Sequence, residues 1–393
     1  MNAVQTLVIK NLCFAKMQAV AELAVRTGRS IPSVTKTISE LMALGIVSEC
    51  GYAVSSGGRR PLQYRLNHQS LPKILSVSID QYYTSIGIYD LSFEILDTIK
   101  TIRNPLANSN ECVQAIMGMI REVLTINEGL PIMAIGLTIP GFVDSATGQN
   151  HSYSADHPLF NLSKTIEDHF GIQTWMENDS TAIAIAEKNF GEAQRSQDVL
   201  VVNLNWGVGL GMIIHDRLFK GHSGYAGEFS HIPLSDENRL CSCGKRGCLE
   251  VEASLTAAVK SAGKRLDEGE ISSLKSLYEA QGHIRGEQLM HAANEGDQLS
   301  MEVLNRIGFM LGKGVATLIH IINPEYVVIS GRGAKVGRIL LPQIQSALLQ
   351  YSIERLSKHT RLLISELEQV QLLGGACVAL DKAKWNGTIP VKN

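Results

Sequence analysis

The sequence predicts an α/β protein with a winged helix-turn-helix at its N-terminus, and three observations lead there. The first seventy residues are basic and carry two closely spaced helical patterns, then short strands. The remainder opens twice with strand, turn and strand, each time followed by helices and buried strands, which marks a duplicated α/β body with a cleft. Near the second opening, His231, Cys241, Cys243 and Cys248 lie close together in the chain.

A chain of 393 residues, 45% hydrophobic and 19% charged, has the composition of an ordinary soluble protein of two or three domains. No apolar run is long enough to span a bilayer, and the N-terminus lacks a signal-peptide cleavage pattern. A cytoplasmic location without membrane insertion is expected. The net charge of −2 is unevenly spread. Residues 1–70 hold eight Lys/Arg against three Glu, so they carry +5 and leave −7 on the remainder. A basic segment on an acidic body points to a polyanion partner for that segment, or to a solvated helical face.

In "AVAELAVRTG", Val20, Leu23 and Ala24 recur at helical spacing and Gly28 stops the helix. In "RSIPSVTKTISELMALGIV", Ser30 is an N-cap and Pro32 falls in the first turn, where its missing N–H costs nothing. Val34, Ile38 and Leu41 form an apolar stripe; Ser30, Pro32, Ser33, Lys36 and Ser39 lie outside it as candidate DNA contacts. "IVSECGYAVSSGGRRPLQYRLN" reads as two strands around a turn, a wing. Its Gly-Gly lets backbone approach another surface, and Arg59 and Arg60 fit a narrow minor groove. The same patterns also describe a helical hairpin without a ligand and a linker with solvated arginines. A protein-binding scaffold is the corresponding alternative. The expected divisions are 1–72 for the winged helix and linker, 73–190 for a first α/β lobe, and 191–376 for a second. A C-terminal helix over about 377–393 is expected to return to the first lobe.

"ILSVSID", "SIGIYDL" and "EILDTIKTI" alternate with period two and read as successive strands. A helix over Glu111–Leu124 and a buried strand in "IMAIGLTIPG" follow. "DVLVVNLNWGVGLGMIIHDRLF" repeats the strand–turn–strand opening, and "YVVISG" is a later strand. Of seven cysteines, Cys13, Cys50, Cys112 and Cys377 are scattered and three cluster. Three thiolates and an imidazole suit a closed tetrahedral Zn²⁺ site, one per chain, although Cys-x-Cys is an unusual spacing; free reduced thiols are the alternative.

The residues "IPGFVD" (139–144), "MENDSTAIAIAE" (176–187), "WGVGLGMII", "GYAGEFSHIPL" (224–234), "CSCGKRGCLEVEAS" (241–254) and "NPEYVVISG" (323–331) resemble the ROK family of bacterial sugar kinases and transcriptional repressors. The resemblance spans nearly the whole chain. With the N-terminal extension and "GGRRP", it matches the regulator branch. It implies a two-lobed actin-like, RNase H-like fold of sugar-kinase type. It also implies structural zinc on His231, Cys241, Cys243 and Cys248, and sugar contacts from Asn178, Glu228, His231 and Glu250. Asp179 matches the kinases' general base, here vestigial with no catalytic residue expected. Read on their own, Asn178 and Asp179 also suit a helix N-cap.

Phosphoryl transfer needs backbone amides close to the phosphates, hence glycine-rich loops. The family's kinases carry an Asp-x-Gly-Gly-Thr type first loop; here it is Asp80-Gln81-Tyr82-Tyr83-Thr84. A Gly-Thr-Gly type second loop has become Asn205-Trp206-Gly207. Ligand recognition kept and phosphate handling lost is the expected balance. The reading is a sugar-responsive repressor, acting as a homodimer or tetramer on double-stranded operator DNA with a sugar or phosphosugar effector; some family members answer to a protein partner instead. The alternative is a ROK-type sugar kinase with an added DNA-binding domain.

Overall fold

The computed structural model describes residues 1–52, 60–235 and 237–385. They fall into two compact units, one formed by Met1–Asp179 with the C-terminal stretch from Leu372, the other by Ser180–Gln371.

The first unit starts with α1 (Ala3–Ala15), whose end is closed by a reciprocal pair: Asn2 Oδ1 accepts from Gln5 N–H and Gln5 Oε1 from Asn2 N–H, both at 2.9 Å. After β1 (Met17–Ala19) come α2 (Val20–Thr27) and α3 (Ile31–Ala43). Gly28, at φ +62°, ends α2 in the left-handed region that favours glycine, and Pro32 sits in the first turn of α3. Val34, Ile38 and Leu41 are buried as one stripe. Strands β2 (Val47–Tyr52) and β3 (Leu62–Leu66) complete a sheet of order β1-β3-β2, a winged helix in outline. Phe14 stacks on Phe93 at 5.2 Å, and Lys16 pairs with Glu94 at 3.2 Å, so the end of α1 is tied to the α/β part of the same unit.

That part is built on β4 (Lys73–Ile79), β5 (Tyr83–Tyr89), β6 (Lys100–Arg103) and β7 (Ile132–Ile139). Helix α4 (Ser109–Ile126) precedes β7, and a ribbon of β8 (Val143–Asp144) and β9 (Gln149–Asn150) follows it. Helix α5 (Leu162–Phe170) and β10 (Thr174–Asn178) close it. The sheet order is β10-β7-β4-β5-β6, with β4, β7 and β10 parallel and β5 and β6 antiparallel. Leu75, Val77, Ile116, Ile120, Leu137 and Met176 share its core. The strand expected in "EILDTIKTI" is confined to Lys100–Arg103. Upstream, Asp90 Oδ1 accepts from Ser92 and Glu94 N–H (2.7 and 3.1 Å) and turns the chain, leaving Ile95 and Leu96 exposed. The C-terminal helix runs Val370–Lys382, and residues 386–393 lie outside the described ones. Ser76 Oγ donates to Leu372 O at 2.6 Å, and a Cβ on Gly136 would lie 2.0 Å from Gly375 O. Helix and sheet touch there only because neither residue carries a side chain.

The second unit repeats the plan. After α6 (Asp179–Phe190), β11 (Val199–Leu204), β12 (Val208–Ile214) and β13 (Arg217–Leu218) run antiparallel. Four helices follow: α7 (Glu250–Ala253), α8 (Leu255–Asp267), α9 (Lys275–Gln281) and α10 (Gly286–Asn294). The long α11 (Gln298–Ile322) leads to β14 (Tyr326–Ser330), then α12 (Gly337–Tyr351) and β15 (Arg361–Ile364). The order β13-β12-β11-β14-β15 reproduces the first sheet strand for strand, with β14 and β15 parallel to β11. Helix α11 is buried along most of its length and packs on α12.

Candidate functional site

Between β13 and α7 the chain forms a loop with little regular structure. Its base is held by Leu249 N–H to Ile232 O and Ser235 N–H to Gly247 O, both 3.0 Å. Its tip is a tight turn, Cys241 N–H to Lys245 O at 2.8 Å, with Gly244 at φ +85°. This geometry brings His231, Cys241, Cys243 and Cys248 together, with their candidate ligand atoms all within 4.8 Å of one another. Cys243 Sγ is 3.6 Å from Cys248 Sγ, and His231 Nδ1 is 3.6 Å from Cys241 Sγ. Those separations are too long for a disulfide, which needs about 2.05 Å. They match the edges of a tetrahedron around Zn²⁺, where bonds of about 2.0–2.3 Å put ligands about 3.6–3.8 Å apart. The cluster can therefore hold a metal ion. A backbone hydrogen bond from Lys245 lowers the Cys243 thiol, whereas burial pushes the Cys248 thiol up to about 12. A bound dication reverses the second effect, because it stabilises thiolate directly.

The other face of the imidazole is also engaged. Glu228 Oε2 lies 3.6 Å from His231 Nε2, so the ring stands between a carboxylate and a thiol. A carboxylate at hydrogen-bond length there orients a metal-bound histidine, and this one stands somewhat farther out. Phe229 and Leu249 flank the loop base and press on Gly314 of α11, where a Cβ would lie 2.5 Å from Leu249 Cδ2.

Glu250 opens α7 and reaches the hairpin between β11 and β12. Its Oε2 accepts from Val208 N–H at 3.3 Å and sits 3.0 Å from where a Gly207 Cβ would be. Within that hairpin Asn205 N–H bonds Gly207 O at 2.9 Å, and Leu255 N–H bonds Asn205 O at 3.0 Å. Trp206, only 6% exposed, packs on Gly286, where a Cβ would lie 2.5 Å from the indole, and Arg332 lies over its ring at 5.4 Å. Arg332 is held in turn by Glu287 at 3.0 Å. The sequence marks Asn205-Trp206-Gly207 as a turn that departs from a Gly-Thr-Gly type motif but carries no sign of Gly286, Glu287 and Arg332. Their link to it is tertiary and leaves no local signal.

Asn178 ends β10 and donates through Nδ2 to Gly141 O at 3.0 Å; Asp179, largely buried, starts α6. There the helix N-terminus favours a carboxylate. These two residues close the first unit, whereas Glu228, His231 and Glu250 belong to the second. In the matching hairpin of the first unit, Asp80 Oδ1 accepts from both Tyr82 and Tyr83 N–H at 2.7 Å. Asn104 N–H bonds Tyr82 O at 2.7 Å.

On the winged helix, Ser30, Pro32, Lys36 and Ser39 are exposed and Ser33 is half-buried. Ser30 stands at the N-cap but makes no side-chain capping bond. Arg60 is exposed, while Arg59 falls outside the described residues. Thr35, Arg26 and Arg29 are exposed too and were not singled out by the sequence pattern. Helical spacing of Thr35 with Ser39 was the available signal.

A duplicated actin-like α/β body behind a winged helix is the class of protein these features define. Residues 74–382 match the ROK family, and the chain belongs to it. It is 27% identical over 383 residues to the DNA-binding transcriptional dual regulator NagC of Escherichia coli K12, covering 94% of this chain and 89% of that one. It is likewise 27% identical over 382 residues to the xylose repressor of Bacillus subtilis, at 96% and 94% coverage. Among solved structures it is similar to a ROK-family transcriptional regulator described as a homologue of the E. coli MLC protein, with TM-score 0.73, 26% identity, and 93% and 91% coverage. A ROK-family glucokinase from Streptomyces griseus, solved with glucose and AMPPNP, matches at TM-score 0.69 and 26% identity. It covers 79% of this chain and 99% of its own.

Proposed function

We propose that this protein is a sugar-responsive transcription regulator, a repressor in its ground state, that binds double-stranded operator DNA through its winged helix. The observation that carries the reading is the pairing of an exposed, small polar α3 face with a ROK body whose second hairpin is packed by its own side chains. The face of Ser30, Pro32, Ser33, Lys36 and Ser39 lies in the major groove, and Arg59 and Arg60 follow the wing into the adjacent minor groove. Operator half-sites require at least a homodimer. Operator binding implies a bacterial cytoplasmic location, and no described helix is long and apolar enough to cross a membrane.

The effector in this reading is a sugar or sugar phosphate whose hydroxyls pair with Asn178, Asp179, Glu228, His231 and Glu250. His231, Cys241, Cys243 and Cys248 hold one structural Zn²⁺. The ion supplies a fixed anchor for the loop, and with four protein ligands it has no open position for water. Glu228 Oε2 stands 3.6 Å from His231 Nε2, longer than a hydrogen bond, so one sugar hydroxyl can bridge the two. The non-enzyme reading is supported by the indole of Trp206, clamped between Gly286 and Arg332 at the turn where family kinases carry glycines.

Gel-shift titration on the protein's own upstream DNA is the test. Lys36→Ala with Arg60→Ala is expected to weaken binding at least tenfold and flatten the salt dependence; unchanged affinity counts against the groove assignment. ADP release with a hexose panel that depends on Asp179 favours the kinase alternative instead. Metal analysis is expected to find one zinc per chain, lost in Cys248→Ser.

A further inference from the structure

An open cavity of about 380 Å³ lies behind the metal loop, between that loop, α7 and the outer faces of α11 and α12. Its volume falls in the range of small-molecule sites, about 300–1,000 Å³. One wall is Glu252, which is 4% exposed. Its Oε2 pairs with Arg306 at 3.2 Å, but its Oε1 is buried with no hydrogen-bond partner. A buried carboxylate oxygen left unpaired is costly, and a small shift of the Glu252 side chain presents it to a donor in the cavity. The opposite wall is aromatic: Phe309 and Tyr351 meet edge to face at 5.9 Å, and Tyr351 is 39% exposed.

The charges on the lining decide what fits. Glu237 and Glu252 are matched by Arg306, which bonds both, and by Lys313, which lies 5.4 Å over the Tyr351 ring. A cationic ligand meets Arg306 and Lys313, and an anionic one meets the two carboxylates. A neutral molecule avoids both penalties. It needs a hydroxyl or amide N–H for Glu252 Oε1 and an apolar face for Tyr351; the Asn305 and Gln343 amides in the wall can take further polar groups. We infer that this cavity is a second small-molecule site for a neutral, hydroxyl-rich ligand of monosaccharide size.

It is separate from the effector residues named above. Glu250 and Glu252 are two positions apart on one helical turn, so their side chains diverge by about 200°. Glu250 turns to the β11–β12 hairpin and Glu252 to α11. The site still touches the metal loop, because Lys313 Nζ donates to Leu234 O at 2.8 Å and Glu237 belongs to the loop. An occupant is therefore positioned to stiffen the loop that carries His231.

Equilibrium dialysis of the full chain with glucose, xylose and N-acetylglucosamine tests this, with glucosamine and glucose 6-phosphate as cationic and anionic comparisons. At least one neutral probe is expected to bind in a way that Tyr351→Ala weakens tenfold or more and Gln343→Trp, which fills the cavity, abolishes. Glu250→Ala is expected to leave that component intact. Tyr351 is exposed and Gln343 half-buried, and thermal unfolding of both variants checks that they fold. The site is refuted if no neutral probe shows binding dependent on Tyr351 and Gln343, or if a charged probe binds there more tightly. Binding lost only in Glu250→Ala bears on the effector reading alone, so the two can fail separately.

Discussion

Two hairpins occupy equivalent places in the two units, β4–β5 in the first and β11–β12 in the second, and they are held differently. The first combines a local bond set with two bonds from just past β6, Asn104 N–H to Tyr82 O at 2.7 Å and Leu106 N–H to Gln81 O at 3.1 Å. Asp80 folds back on the N–H groups two and three residues on, a local bond pattern that any isolated turn can make. The second is held from a distance: Glu250, Leu255, Gly286 and Arg332 all reach it from later helices and loops. One strand order thus carries a turn built round its own carboxylate and a turn built round side chains from later helices and loops.

The largest expected effect tests the second turn. Trp206→Ala empties a buried ring site, and such changes cost about 3–5 kcal/mol. Chemical denaturation is the measurement, and a loss below about 1 kcal/mol means that the indole is not filling that space. Asp80→Ala removes one acceptor serving two N–H groups and is expected to cost about 1–3 kcal/mol. Asp80→Asn, which keeps an acceptor, should recover much of it. If it recovers nothing, the first turn is not a local hydrogen-bond device.

A smaller effect reports on the same device elsewhere. Asp297 caps α11, and although partial burial pushes its carboxyl up, bonds from Ser300, Ser273 and Ser272 win and hold it down to about 2. A depressed carboxyl contributes stability above its unfolded value near 3.9, and that contribution is lost as pH falls towards 2. Asp297→Ala is expected to cost about 1 kcal/mol at pH 7 and clearly less at pH 2, where about half of the carboxyl is protonated. An equal cost at both values contradicts the cap.

Much of this was legible in the sequence because it rests on periodicity and short spacings. Val34, Ile38 and Leu41 announced the buried face of α3, and the doubled strand–turn–strand pattern announced two similar sheets. His231, Cys241, Cys243 and Cys248 were recognisable because their chemistry is rare and their spacing is short. The strand expected through Ile95 and Leu96 failed because Asp90 turns the chain first, and alternation alone does not register a side chain competing for backbone N–H groups.

The sequence by itself determined the order of elements, the winged helix, the duplicated α/β plan and the donor set of the metal loop. All of these follow from backbone propensity, hydrophobic period and ligand type within a few dozen residues. The tertiary structure decided what surrounds Trp206, which carboxylate faces His231, and that Glu252 looks into a cavity while Glu250 looks away from it. Those contacts join residues tens of positions apart, and no local pattern encodes a packing partner that the chain meets only after it folds.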